Sequence, residues 1–440
     1  MDTRLYSRII RLGVPILIGQ IGSIVVGFAD TTMVGHYSTE ALASASFVNN
    51  LFNVAIFASM GFSYGLTPLV GALFARKCRR ESGALVRTAL WINIAFALLL
   101  TAIMGTIYLN IERLGQPTEL IPVIKPYFLI VLSGMIPIAV FNVFAQWSYA
   151  INRTRMPMWI ILAANTVNIL GNYLLIYGHC GFPEMGLNGA GIATLSARLI
   201  CAAAILVIFF TGRQYGEYRH GFVKEPSSMR DVKRVNVTSW PVALQMTFES
   251  GSFTMAAVMA GWLGAIPLAA FQIVVILGML GFCLYYSMAA AVSVLVSNAA
   301  GMSDRQLMRR TAFAGYVILL LLAACSSLTF VFLGADILPV FTDDPVVIAT
   351  ALTLIVPLVL YQLGDATQIT FANALRGTAH VMPMLWISFV SYVVIGIPAT
   401  WLLGFPCGLG IYGIILSFSV SLFIAAALFL IYFLRATRPR

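Results

Sequence analysis

The chain has 440 residues, of which 60% are hydrophobic and only 10% are Asp, Glu, Lys or Arg. A soluble protein cannot bury that much apolar surface, so the composition excludes a soluble globular fold and indicates an integral membrane protein. The formal net charge of +10 would suit nucleic-acid binding, but the basic residues occur in short clusters between long apolar stretches, which argues against that function.

Apolar stretches without charged residues predict the spanning elements. A bilayer core about 30 Å thick is crossed by roughly 20 helical residues. Residues 88–111 fit one span, and 250–303 and 377–434 fit about two each. We therefore predict an all-α integral membrane fold with twelve transmembrane helices. The predicted spans are 12–34, 41–75, 85–110, 121–151, 157–178, 186–211, 238–262, 267–300, 311–334, 346–375, 383–404 and 408–434.

The basic residues divide the predicted loops into two classes. Of the 26 Lys and Arg residues, only Arg113 and Lys125 lie in or next to a loop between an odd-numbered helix and the next even-numbered one, and only Arg198 lies deep within a predicted span. This asymmetry follows the positive-inside rule and predicts that both termini are cytoplasmic. The opposite loops carry acidic residues, namely Glu112, Glu119, Glu184, Asp336, Asp343 and Asp344.

The chain repeats part of its pattern at an offset of 226 residues, so that Pro15 corresponds to Pro241 and Gly35 to Gly261. The collinear order of such matches indicates a duplication. Because each half has six helices, the two halves have the same orientation, which predicts pseudo-symmetric bundles related as a parallel repeat.

Three ranges follow as the predicted domains. They are an N-terminal six-helix lobe at 1–211, a cytoplasmic linker at 212–237 and a C-terminal six-helix lobe at 238–440. The linker is the longest polar stretch of the chain, with six basic and three acidic residues. In carriers with two such lobes the substrate binds near mid-membrane, and rocking of the lobes alternates access to it.

Three acidic residues stand alone inside long apolar stretches: Asp30, Glu249 and Asp365. A carboxylate at the centre of a bilayer is energetically expensive, and such residues usually mark the path of an ion or a substrate. Glu249 and Asp365 have similar predicted depths, so they could share a proton or a cation. The alternative is a structural ion pair, for which Arg198 is the only basic residue predicted at that depth.

Polar residues at helical spacing accompany each acid. Asn168 and Asn172 share a face of the predicted fifth helix, and Thr194 lies in the sixth. Their oxygens could complete a shell around a cation or bind a carboxyl group, although asparagines also join membrane helices. The second half offers Gln245, Ser252, Gln272, Tyr361 and Gln368.

Several predicted spans contain a proline well away from their ends, namely Pro15, Pro68, Pro137, Pro241, Pro357 and Pro398. Proline bends a helix because it lacks an N–H donor. A fixed bend is the ordinary interpretation, and only Pro15 is predicted to be a hinge, because it shares its helix with Asp30.

Motifs for other functions do not occur in the sequence. The four histidines are scattered, and no nucleotide-binding, zinc-hydrolase or serine-hydrolase motif is found. We therefore predict that the chain is not an enzyme, needs no cofactor and is driven by an ion gradient. The six cysteines show no paired spacing, and a bridge between Cys180 and Cys407 stays open.

Three segments carry a family resemblance. They are Phe28-Ala29-Asp30-Thr31-Thr32-Met33-Val34-Gly35-His36, the run from Ser239-Trp240-Pro241 to Phe248-Glu249-Ser250, and the run from Tyr361-Gln362-Leu363-Gly364-Asp365 to Arg376-Gly377. They resemble helices 1, 7 and 10 of the multidrug and toxic compound extrusion (MATE) family, most closely a NorM-like bacterial branch. The similarity covers essentially the whole chain, and the family's two six-helix lobes agree with the predicted count.

The resemblance implies a multi-pass transporter of the bacterial cytoplasmic (inner) membrane that exports cationic, often aromatic drugs in exchange for Na⁺ or H⁺. It implies a coupling site at Asp30 with Asn168, Asn172 and Thr194, and a bend of helix 1 at Pro15. A second polar site would contain Glu249, Gln272, Tyr361 and Asp365.

Two details of this resemblance stay open. A Na⁺ ion would bind at Asp30 or at the Glu249–Asp365 pair, but some branches have an acid where Asn172 stands, so the coupling ion is not fixed.

A functional monomer is expected. The alternative function is a flippase for a lipid-linked oligosaccharide, which should carry basic residues in its cavity to meet pyrophosphate.

Overall fold

The computed structural model describes residues 3–114 and 117–438, and every regular element in these ranges is a helix. The α-helices are α1 (Thr3–Tyr37), α2 (Thr39–Tyr64), α3 (Leu66–Ala75), α4 (Arg79–Leu109), α5 (Ile121–Ser133), α6 (Met135–Ala150), α7 (Arg155–Tyr177), α8 (Gly186–Thr211), α9 (Gly216–Lys224), α10 (Met229–Trp262), α11 (Ala265–Gly301), α12 (Arg305–Ile337), α13 (Pro345–Thr353), α14 (Ile355–Gly377), α15 (Met382–Ser388), α16 (Ile397–Gly404) and α17 (Gly410–Ala436). Short 3₁₀ helices lie at Ile111–Leu114, His179–Gly181, Arg213–Tyr215 and Leu338–Val340, and a π-helix lies at Phe389–Gly396.

Within the described ranges, ten helical stretches are long and apolar enough to cross a membrane. An eleventh is counted if α13 and α14, which meet at an angle of 47°, form one span. The predicted all-α membrane fold is therefore confirmed. The seventh predicted span lies within α10. That helix is not among the ten apolar stretches, because Gln245, Glu249 and their polar neighbours lower its hydropathy. The count of twelve spans and the cytoplasmic termini stay predictions.

Three predicted spans are not continuous helices, and prolines explain why. The breaks follow Tyr64, Ser133 and Thr353, each four residues before a proline, at Pro68, Pro137 and Pro357 respectively. A proline at position i cannot donate to the carbonyl of residue i−4, and its ring crowds that carbonyl. The helix therefore ends where the missing bond would have been.

Several helices begin well before their predicted start, and α10 and α12 show the reason. Helix α10 begins at Met229, inside the predicted linker, after Ser228 accepts a hydrogen bond of 3.1 Å from the Asp231 N–H. Helix α12 begins at Arg305, where Asp304 accepts from the Leu307 N–H at 2.8 Å. Both are N-caps that satisfy free donors of the first turn. The predicted spans were ended at charged residues, which made them too short. Charged residues limit only the part of a helix that lies within lipid, and the helix itself can continue beyond them.

The described residues form two compact units. The N-terminal unit comprises Ile18–Ser239, and the C-terminal unit comprises residues 3–17 and 240–438. Helix α1 therefore passes from one unit to the other after Leu17, and α10 does so after Ser239. The predicted lobe and linker boundaries stay predictions.

Helix α9, in the predicted linker, packs closely against α4 within the N-terminal unit. A Cβ added at Gly83 would collide with the Tyr218 carbonyl, and one added at Gly221 would collide with the Arg80 carbonyl. The Arg87 guanidinium also donates to the carbonyl oxygens of Phe222, at 2.7 Å, and of Glu225. This part of the linker is thus a docked helix.

Each unit has its own apolar core. In the N-terminal unit the fully buried Trp147 meets Phe209 and Tyr215 edge to face, with ring centroids 5.0 and 5.2 Å apart. In the C-terminal unit Phe253 and Phe418 lie 4.5 Å apart, and Phe271 packs beside them. The helices that carry the polar side chains of the candidate sites pack against these apolar cores.

Candidate functional site

In the N-terminal unit, Asp30 on α1 faces two asparagines of α7. Asn172 donates its amide to Asp30 Oδ1. In the amide orientation that gives each atom a complementary partner, Asn168 Nδ2 lies 2.8 Å from the same oxygen and Asn168 Oδ1 lies 3.1 Å from the Thr194 hydroxyl. Asn168 and Asn172 are buried, and Asp30 is half-buried. The structure therefore brings Asp30 together with the three residues that were grouped around it from the sequence.

Close helix packing places these side chains. Asn168 and Asn172 are one turn apart and so share a face of α7. A Cβ at Gly171 would lie 3.0 Å from Ala193 Cβ, and one at Gly189 would lie 2.5 Å from the Leu175 carbonyl oxygen. Small residues at both points let α7 and α8 approach, which brings Thr194 within reach of Asn168.

Three further polar residues surround this site. Arg198 on α8 interacts electrostatically with Asp30 and with Tyr127 of α5. The Tyr127 hydroxyl donates to Asn49 Oδ1 over 3.4 Å. The Arg198 side chain passes over Gly134, where a Cβ would lie 2.6 Å from Nη1. The sequence marked Arg198 as the basic residue of a predicted span, but nothing in it pointed to Tyr127 or Asn49.

In the C-terminal unit, two acids on different helices interact electrostatically. Asp365 on α14 has 2% of its surface exposed, and its Oδ2 has no hydrogen-bond partner in the described part of the chain. Glu249 on α10 is half-buried and interacts electrostatically with Asp365 and Tyr361. Arg376 also acts on Glu249. Ion pairs at Arg79–Glu217, Lys125–Glu112 and Arg234–Asp231 lie away from this site.

Two predicted site residues lie apart from these groups. Gln272 on α11 is exposed, and no side-chain hydrogen bond within the described residues joins it to Asp365 or Glu249. Pro15 is buried in the C-terminal unit, two residues before α1 passes into the other unit. The structure therefore assembles Glu249, Tyr361 and Asp365 but leaves Gln272 outside their contacts.

Each site combines several oxygen acceptors with one arginine, Arg198 beside Asp30 and Arg376 beside Glu249. Asn172 Oδ1 in one unit and Asp365 Oδ2 in the other are buried without a partner among the described atoms. Buried polar groups normally find a partner, so an unpaired acceptor indicates a bound water, proton or ion. No group of three or more His, Cys, Asp or Glu side chains suited to a metal occurs in the described ranges. Cys180 and Cys407 are free thiols.

A helical multi-pass membrane protein with sheltered carboxylates in each of two compact units has the build of a secondary transporter. The family model described as MatE matches residues 15–174 and 241–402, so the chain belongs to the MATE family. The resemblance predicted from the sequence is confirmed, and the chain is a transporter and not an enzyme.

Curated relatives span nearly the same length. The chain is 28% identical over 436 residues to a probable multidrug resistance protein NorM of Geobacillus kaustophilus, covering 99% of this chain and 96% of that one. It is also 28% identical to a probable multidrug resistance protein NorM of Xanthomonas axonopodis pv. citri, covering 88% and 84%.

Solved structures show the same fold. A MOP superfamily transporter from Pyrococcus furiosus superposes with a TM-score of 0.89 at 16% identity, covering 99% of this chain and 97% of that chain. An outward-facing multidrug resistance MATE family transporter superposes with a TM-score of 0.89 at 17% identity, covering 98% and 96%.

Proposed function

We propose that this protein is a cation-coupled antiporter that exports cationic and aromatic organic compounds by alternating access. Membership of the MATE family supports export of small molecules. The observation that carries the coupling mechanism is Asp30, held by two asparagine amides inside an apolar helix bundle.

The membrane arrangement follows from the same reasoning. The ten apolar stretches, the bent α13–α14 pair and the polar helix α10 together supply twelve spans. With the basic residues on the inner side, both termini are cytoplasmic, and the bacterial inner membrane is the proposed location. A two-lobed carrier can work as a monomer, which is the state that we propose.

Asp30 is proposed to bind the coupling ion, Na⁺ or H⁺, with Asn168, Asn172 and Thr194 around it. A bound cation neutralises the carboxylate and changes its hydrogen bonds to α7. Since ion and drug need only different affinities for two conformations, this local change can favour one of them. Pro15, in the same helix, is proposed to absorb the change in bend. Glu249, Tyr361 and Asp365 form the second cation site.

The test is ethidium efflux from proteoliposomes, with a Na⁺ gradient and an H⁺ gradient imposed separately. The Asp30→Asn variant keeps the shape of the side chain but cannot ionise. It should insert normally, yet its efflux should fall to the rate of protein-free liposomes. Asp336→Asn, in an exposed segment, serves as the matched control.

Wild-type efflux by Asp30→Asn would refute the coupling role. If the wild-type protein moves ethidium under neither gradient but does move a labelled lipid-linked oligosaccharide, its function is that of the flippase and not of the antiporter.

A further inference from the structure

Basic residues are concentrated in one part of the N-terminal unit. Residues 76–87 and 213–234 contain eleven Lys and Arg but only four Asp and Glu. The first range covers the turn before α4 and the start of that helix. The second range runs from the 3₁₀ helix before α9 into the first turns of α10. In the proposed orientation both ranges lie on the inner side of the membrane, where the leaflet is anionic.

Helix α9 is anchored beside the point where α4 enters its predicted span. Tyr218 of α9 is buried, and the ring centroid of Phe222 lies 5.5 Å from that of Phe209 at the end of α8. Arg87, two residues inside the predicted span of α4, donates to the Ser227 hydroxyl oxygen at 3.0 Å. The linker is therefore held at the predicted edge of the membrane, at the level of the lipid headgroups.

Positive charge remains on the outer side of this anchored segment. Two of the three linker acids are paired with other arginines, Glu217 with Arg79 at 3.0 Å and Asp231 with Arg234 at 3.9 Å. Three basic side chains are exposed and form no ion pair among the described residues, namely Lys224, Arg230 and Lys233. These three charges are available to an anionic partner.

Large apolar side chains are exposed among these charges. Val223 is 61% exposed and Met229 is 80% exposed, and each adjoins a basic residue in the sequence. A nucleic acid or an acidic protein loop would leave both side chains in water. At a membrane surface they reach the boundary of the acyl chains, while the basic side chains meet the headgroups. The combination therefore favours a lipid partner.

We propose that the docked linker binds anionic phospholipids of the inner leaflet. Lys224, Arg230 and Lys233 bind the headgroups, and Val223 and Met229 lie in the acyl boundary. Docking of α9 on α4 positions the five side chains at the level where this can occur. The inference uses the proposed orientation but does not depend on the transported compound or the coupling ion.

The test is a titration of detergent-solubilised full-length protein with phosphatidylglycerol or phosphatidylcholine of the same acyl chains, with bound lipid counted by native mass spectrometry. Wild type should prefer phosphatidylglycerol. Changing Lys224, Arg230 and Lys233 together to Gln should weaken phosphatidylglycerol binding about tenfold or more, since basic residues near a membrane attract anionic lipid individually. Phosphatidylcholine binding should not change.

The matched control changes three other exposed basic residues to Gln, namely Arg8, Arg11 and Arg310. It removes the same charge from the C-terminal unit, and its phosphatidylglycerol affinity should stay within twofold of wild type. Melting temperatures in phosphatidylcholine micelles should be equal for all three proteins, which separates lipid binding from folding.

The inference is overturned if wild type binds both lipids equally, if the linker variant loses less than twofold, or if the control variant loses as much. A single-stranded RNA oligonucleotide that displaces phosphatidylglycerol from these residues would assign the surface to nucleic acid instead. Ethidium efflux from phosphatidylcholine liposomes tests the antiporter separately, since that membrane carries no anionic headgroup.

Discussion

At the scale of single residues, the amides around Asp30 determine how its carboxylate is held. Asn172 and Asn168 both direct amide nitrogens at Oδ1, and Thr194 fixes the second asparagine from the other side. Hydrogen bonds to a charged group are stronger than neutral ones. Ion binding at this site therefore depends on the orientation of the Asp30 carboxylate as well as on its charge.

Asn172→Leu should lower ethidium efflux about tenfold. A hydrogen bond to an ionised group contributes about 1.5–3 kcal/mol, and leucine has nearly the same size but no donor. Transport in proteoliposomes at saturating ion gradient measures the effect. Asn110→Leu is the control, because Asn110 is half-buried just after α4 and its side-chain amide donates to the Thr106 carbonyl of the same helix. Equal loss in both variants would contradict the assignment.

At the scale of elements, small residues and prolines decide where helices meet and where they break. Gly83 and Gly221 let α9 lie directly against α4, and Arg87 ties the following carbonyls to the same helix. The close approach has no room for a side chain.

Gly83→Leu should displace α9 from α4. Forcing a side chain into a packed contact costs about 1–3 kcal/mol, and the freed linker should become sensitive to protease at Arg219 and Lys224. Limited trypsin digestion and a thermal melt measure both effects. Gly105→Leu on the same helix is the control, since a Cβ there meets nothing within 4 Å. Unchanged digestion of Gly83→Leu would show that the contact is dispensable.

The helices were predictable because long apolar stretches in lipid must satisfy their own backbone hydrogen bonds. The breaks before Pro68, Pro137 and Pro357 follow from the same sequence once the lost i−4 bond is counted. The neighbours of Asp30 were predictable from helical spacing. Tyr127 and Asn49 were not, because their proximity to that site depends on packing between helices.

At the scale of the whole molecule, the distribution of basic residues predicts which loops face outwards. Cys180 and Cys407 are exposed, and both lie in loops predicted to be outside. Cys78 adjoins the basic cluster that is predicted to be inside.

Single-cysteine variants should therefore react differently with a membrane-impermeant maleimide. On intact cells, Cys180 and Cys407 should be labelled, whereas Cys78 should be labelled only after the membrane is opened. Mass spectrometry of the purified protein measures the labelled fraction. The reverse pattern would invert the proposed topology and place the termini outside.

The two helices that belong to both units have a consequence for the origin of the chain. The start of α1 lies in the C-terminal unit, and the start of α10, its counterpart 226 residues later, lies in the N-terminal unit. The beginning of the first helix of each predicted repeat thus belongs to the compact unit that the other repeat forms. Under the duplication predicted from the sequence, a solitary ancestral repeat would complete this arrangement by swapping those segments with a second identical copy, and fusion of the two copies would make that exchange permanent.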